Sequence, residues 1–165
     1  MNRHADRIDR KPGLEDEGSR TVAFSEALLE LERSKLAPVR TPRGTPASVL
    51  RQAANAAVRY INELAIADRD DAIGPELDWL IELAATHPDD AELAVAAATA
   101  MFDHICNLGV GQRFGEAESE LQRMRTFVSR YPHEPSVQVR FSSASENLES
   151  MIGWVEEDAS SSEVP

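Results

Sequence analysis

Between residues 47 and 155 apolar side chains recur three or four positions apart, the spacing that lays one stripe along a helix. Three long stripes stand out: Leu50, Ala53, Ala57, Ile61 and Leu64; then Leu93, Ala97, Ala100, Met101, Ile105 and Leu108; then Val137, Phe141, Ala144, Leu148, Ile152 and Val155. Shorter stripes alternate with them: Phe24, Leu28 and Leu31; then Leu77, Leu80, Ile81 and Ala84; then Ala117, Leu121, Met124, Val128 and Tyr131. Six helices follow from this pattern. The one alternating run, residues 137–141, continues into a helical stripe and has no hairpin partner, so it predicts no strand. The expected fold is all-α.

The same punctuation occurs three times, at Thr45-Pro46-Ala47, His87-Pro88-Asp89 and Tyr131-Pro132-His133, with the prolines 42 and 44 residues apart. Each of the first two is followed by a long helical stretch, a glycine-containing turn and a shorter helical stretch. Asp89 and Asp90 place acceptors and negative charge where a helix begins. Gly109 and Gly111 end that helix, Glu116 and Glu118 follow Gly115 into the next, and Pro132 breaks it. The chain thus predicts antiparallel helix pairs stacked as a short solenoid. Residues 47–88 and 89–132 form two full units, residues 134–154 a closing helix and residues 22–36 a leading one. Such units bury their stripes on one another, so about three of them are wanted for stability. This chain stands near that minimum, which leaves room for self-association through an end without a polar cap.

The run from Leu108 through Gly109, Gly111, Gly115 and Glu118 resembles the inter-helix turn and second helix of a tetratricopeptide repeat. Ala117, Leu121 and Met124 fall at that family's second-helix alanine, aromatic and small positions. The unit here is longer than the family's, which is about 34 residues, and its first-helix Trp, Leu-Gly and Tyr signature is missing between Leu93 and Leu108. The resemblance covers residues 47–155. It implies a binding or scaffold module whose inner surface is the face of the long helices opposite the apolar stripe.

On that face the 44-residue offset puts Asn55, Thr99 and Ser143 at one level, and Arg59, Asp103 and Asn147 at the next. These six are the expected partner-binding residues, polar side chains suited to an extended peptide or a helix. Tyr60 and Trp79 fit either core or interface.

Charge narrows the partners. The chain has 17 Lys and Arg against 29 Asp and Glu, a net charge of −12. Residues 1–45 are close to balanced, so the acidic excess lies in residues 46–165. Such a surface repels phosphate and anionic lipid, which argues against nucleic acid and membrane, and a charged partner would be a basic protein or peptide. Only Lys11 and Lys35 are lysines, a profile similar to that of proteins from salt-loving microbes, in which acidic surfaces serve solubility. Residues 1–20 hold few large apolar side chains and read as a flexible tail, and residues 156–165 as an acidic, serine-rich one. The repeat domain spans residues 21–155. No apolar leader or membrane span is evident, so the expected location is cytoplasmic.

Catalytic motifs are not apparent. Asp103 and His104 are adjacent on one helix and point about 100° apart, so they do not share a metal ion, and His87 and His133 flank turn prolines. Cys106, the only thiol, borders an apolar stripe and reads as a small hydrophobe. Gly109, Gly111 and Gly115 lack the Lys and Ser/Thr of a phosphate loop. Glu116, Glu118 and Glu120 read as a solvated first turn. The expectation is a non-enzymatic interaction module without cofactor or metal. Its rivals are a regulatory subunit holding a small ligand between helices and an acidic mimic of nucleic acid.

Overall fold

The computed structural model describes residues 45–161. They form five helices: α1 (Ala47–Ile66), α2 (Asp70–Thr86), α3 (Ala91–Val110), α4 (Phe114–Val128) and α5 (Pro135–Ser161). No strand occurs among the described residues, so the class is all-α. The expected amino-terminal tail and leading helix lie outside the described residues. The backbone of α5 runs on to Ser161, well into the stretch assigned from composition to the acidic tail.

Helix α3 packs against all four other helices, α1 touches α2, and α4 touches α5. Its sequence explains the position. Ala94, Ala96, Ala97, Ala98 and Ala100 are all buried, and small side chains let neighbouring helices approach closely on several sides. The same residues make α3 long and apolar enough to cross a membrane by composition, yet over half of that window is buried against the other helices. Around it the predicted stripes close one core in which Ile61, Leu64, Leu77, Leu80, Met101, Ile105 and Met124 are fully buried. Each such side chain contributes roughly 1.5–3 kcal/mol. Tyr60 and Trp79 are half-buried and pack against this core.

Two turns are built alike. At the end of α1 the Ala67, Asp68 and Arg69 amides donate to the Glu63, Ala65 and Leu64 carbonyls, and Asp68 sits at φ 56°. At the end of α3 the Gly111, Gln112 and Arg113 amides donate to the Asn107, Gly109 and Leu108 carbonyls, and Gln112 sits at φ 57°. Both are left-handed helix stops that satisfy the last carbonyls. Every group in the second lies 44 residues beyond its counterpart in the first.

Three local expectations need correction. Gly74 is not in the first inter-helix turn; it lies inside α2 with Pro75, and the left-handed residue is Asp68. The buried side chains of Ile73 and Leu77 hold the helix across the Gly-Pro step, which would otherwise favour a turn. Gly109 does not end α3 but lies buried within it, where the Met151 sulfur packs so close that a Cβ would meet it at 2.6 Å. Asp90 does stand at the start of α3 but does not cap it with its side chain. Its carboxylate accepts instead from Arg51 Nε at 2.9 Å, tying α1 to α3.

Candidate functional site

The long helices α1, α3 and α5 run side by side in one direction, as their cross-links show. Arg51 near the start of α1 reaches Glu92 near the start of α3, and Asn62 near the end of α1 donates to Asp103 at 3.1 Å. Between α3 and α5 the Arg140 guanidinium lies 5.9 Å from the centre of the Phe102 ring, and Asn147 donates to the Cys106 sulfur at 3.7 Å. Parallel alignment puts equivalent positions of the three helices side by side on one exposed surface.

Each of the six expected partner-binding residues is on this surface. Asn55, Arg59 and Asn147 are exposed, and Thr99, Asp103 and Ser143 are half-buried. Asn55 and Thr99 line one cleft of about 380 Å³, together with Val58, Val95, Glu92 and Glu134. Asp103 lines a second of about 350 Å³ with Asn62, Ile66, Cys106 and Asn107. Ser143, Arg59 and Asn147 line neither cleft. Several of these side chains are already engaged within the protein. Thr99 Oγ1 donates to the Val95 carbonyl at 2.8 Å, Asp103 accepts from Asn62, and Asn147 donates to Cys106. What they offer a partner is therefore mainly their remaining acceptors and donors, held in fixed orientation.

Sequence reasoning missed Asn62, Cys106, Phe102 and Arg140. A signal existed for the first two: Asn62 and Cys106 lie seven residues, or about two turns, beyond Asn55 and Thr99, on the same side of their helices. Burial raises the Cys106 thiol pKa, and the Asn147 amide only partly offsets it, so this sulfur favours its protonated form.

Asp103 and His104 diverge as the helical spacing requires. Asp103 faces Asn62, whereas His104 is turned toward α4, near Glu116, Glu120 and Arg123. Burial lowers the His104 pKa, and its Nδ1 is fully buried without a hydrogen-bond partner. On α4 itself, Glu116 is held ionised below its usual range by the Arg113 guanidinium, which bonds it at 2.6 Å. His87 fits its turn, its ring Nδ1 lying 3.0 Å from the Leu83 carbonyl. No group of three His, Cys, Asp or Glu side chains converges among the described residues.

No protein-family model, no curated protein and no solved structure matches this chain.

Proposed function

We propose that this protein is a helical-repeat interaction module of tetratricopeptide-like type, which binds a protein or peptide on the face of α1, α3 and α5 and does no chemistry of its own. The reading is supported first by the parallel register of the three long helices. It brings a band of polar side chains to one surface and fixes their orientation by hydrogen bonds between helices. Pre-set groups lose less freedom on binding than mobile ones. The 44-residue recurrence of both turns supports the stacked-pair solenoid on which the reading rests. A net charge of −12 favours a basic partner over nucleic acid or an anionic membrane.

The test is affinity capture from the native host's lysate at matched salt, with the wild type beside an Arg59→Glu, Asp103→Arg variant. A protein retained by the wild type and lost from the variant supports the assignment. Equal capture by both places the binding surface elsewhere on the molecule.

A second reading has one observation in its favour. The 380 Å³ cleft between α1, α3 and the start of α5 is within the size range of small-molecule sites and mixes Val58 and Val95 with Asn55, Thr99 and Glu134. A small ligand there would raise the melting temperature as its concentration rises, with no protein partner present.

A further inference from the structure

The three most exposed large apolar side chains described are Ile66, Val110 and Trp154, at 75%, 76% and 69% exposure. They are spaced 44 residues apart, so they take the same place on α1, α3 and α5. Each continues the polar stripe of its own helix. Ile66 follows Asn55, Arg59 and Asn62 at helical spacing, Val110 follows Thr99, Asp103 and Cys106, and Trp154 follows Ser143, Asn147 and Ser150. The candidate face therefore leads into a row of three apolar side chains, one per helix. Scattered exposed apolar residues are ordinary. Three at equivalent positions along the edge of a candidate binding face present one apolar side chain per helix.

We infer that this row docks a basic amphipathic helix of a partner protein, lying across the ends of α1 and α3 and the matching level of α5. The inference rests on the proposed function and specifies the chemistry of the partner. Packed helices stand roughly 8–10 Å apart, which sets the spacing of the row. On an α-helix, residues seven apart share a face and are separated by about 10.5 Å, whereas same-face residues of a β-strand recur at about 6.8 Å. A helix with apolar residues at every seventh position meets all three.

Charge selects a basic partner. Glu63, Asp68 and Asp103 stand within two turns of the row against one cation, Arg59, at the same distance, and no Lys or Arg occupies the last turn of α1 or α3. The two cations that follow α1 and α3 are engaged by carboxylates: Arg69 by Asp71, and Arg113 by Asp70 and Glu116.

The experiment titrates the full chain with a synthetic 21-residue helix carrying Leu at every seventh position and Lys elsewhere on its exposed face, followed by calorimetry. The comparison is an Ile66→Ser, Val110→Ser, Trp154→Ser variant, which keeps every charge. Saturable binding to the wild type, weaker by about tenfold or more in the variant, is the expected result. Equal affinity for both proteins would mean attraction by charge alone and overturn the inference, as would no binding. Uptake of the wild type but not the variant by zwitterionic lipid vesicles would also overturn it, since the row would then serve a membrane. A peptide with its Leu residues changed to Ser supplies the same comparison without altering the protein. A host partner lost by the Arg59→Glu, Asp103→Arg variant yet retained by the Ser variant would remove the row and leave the proposed function standing.

Discussion

Helix α4 packs on α3 and is tied to α2 by ion pairs along the α2–α3 side, whereas the groove between α4 and α5, one unit further along the chain, stays open as a cleft of about 590 Å³. The two differ in side chains more than in backbone. On α3 the side facing α4 carries Met101, His104, Ile105 and Leu108; 44 residues later α5 carries Ser145, Leu148, Glu149 and Ile152. Asp78 on α2 pairs with Arg123 of α4, and Asp70 with Arg113, while their counterparts are Gln122 and Phe114. The covered groove is apolar with acidic anchors at its rim. The open one replaces Met and Ile with Ser and Glu, and Ser145 donates to Glu149 at 3.3 Å across its surface. Helix docking in this molecule follows from those few positions.

Giving α3 the residue of α5 breaks the comparison most severely. Ile105→Glu would bury an unpaired carboxylate where Ile105 is 1% exposed, at a cost of about 3–5 kcal/mol. Cooperative thermal unfolding followed by circular dichroism should be lost near room temperature. The reverse exchange, Ser145→Met with Glu149→Ile, should leave the monomer folded and expose an apolar groove able to pair with a second copy. Sedimentation equilibrium should then show concentration-dependent association absent from the wild type.

His104 separates the two grooves by pH. Its pKa is lowered in the folded chain because burial disfavours the imidazolium, so the unfolded chain binds the proton more tightly. Stability is complete above the ordinary histidine value of 6.5, falls as the pH drops through it, and levels off below the lowered folded value. His104→Leu, which copies Leu148 of α5, should flatten this dependence in urea titrations between about pH 7.5 and 5.5. The smallest expected effects are at the turns. Gln112→Gly should stabilise by roughly 0.5–1 kcal/mol by removing a Cβ from a left-handed residue, and Asp68→Gly by less, because Asp tolerates that conformation better. Chemical denaturation resolves both.

The stripe residues Leu50, Ile61, Leu64, Met101, Ile105, Leu121 and Met124 were legible from spacing because each must face one core, and helical periodicity reports that directly. The 44-residue offset was legible from the prolines. Gly74-Pro75 misled because a strong local turn signal is overridden by burial of Ile73 and Leu77, and burial is not a local property. Gly109 misled for a related reason: it serves the approach of Met151, a residue on another helix. At the candidate site the helical face was legible, but its cross-links were not. Asn62 to Asp103, Asn147 to Cys106 and Arg140 over Phe102 depend on how neighbouring helices are offset, which spacing within one helix leaves open.

The claim that the α1, α3 and α5 face is the binding surface is tested most directly with a captured partner in hand. Its affinity would be measured for the wild type, for Asp103→Arg on that face, and for Glu118→Arg on the exposed side of α4. The account predicts about tenfold or greater weakening from Asp103→Arg and little change from Glu118→Arg, with melting temperatures alike. Weakening confined to Glu118→Arg, or equal weakening in both, would contradict it.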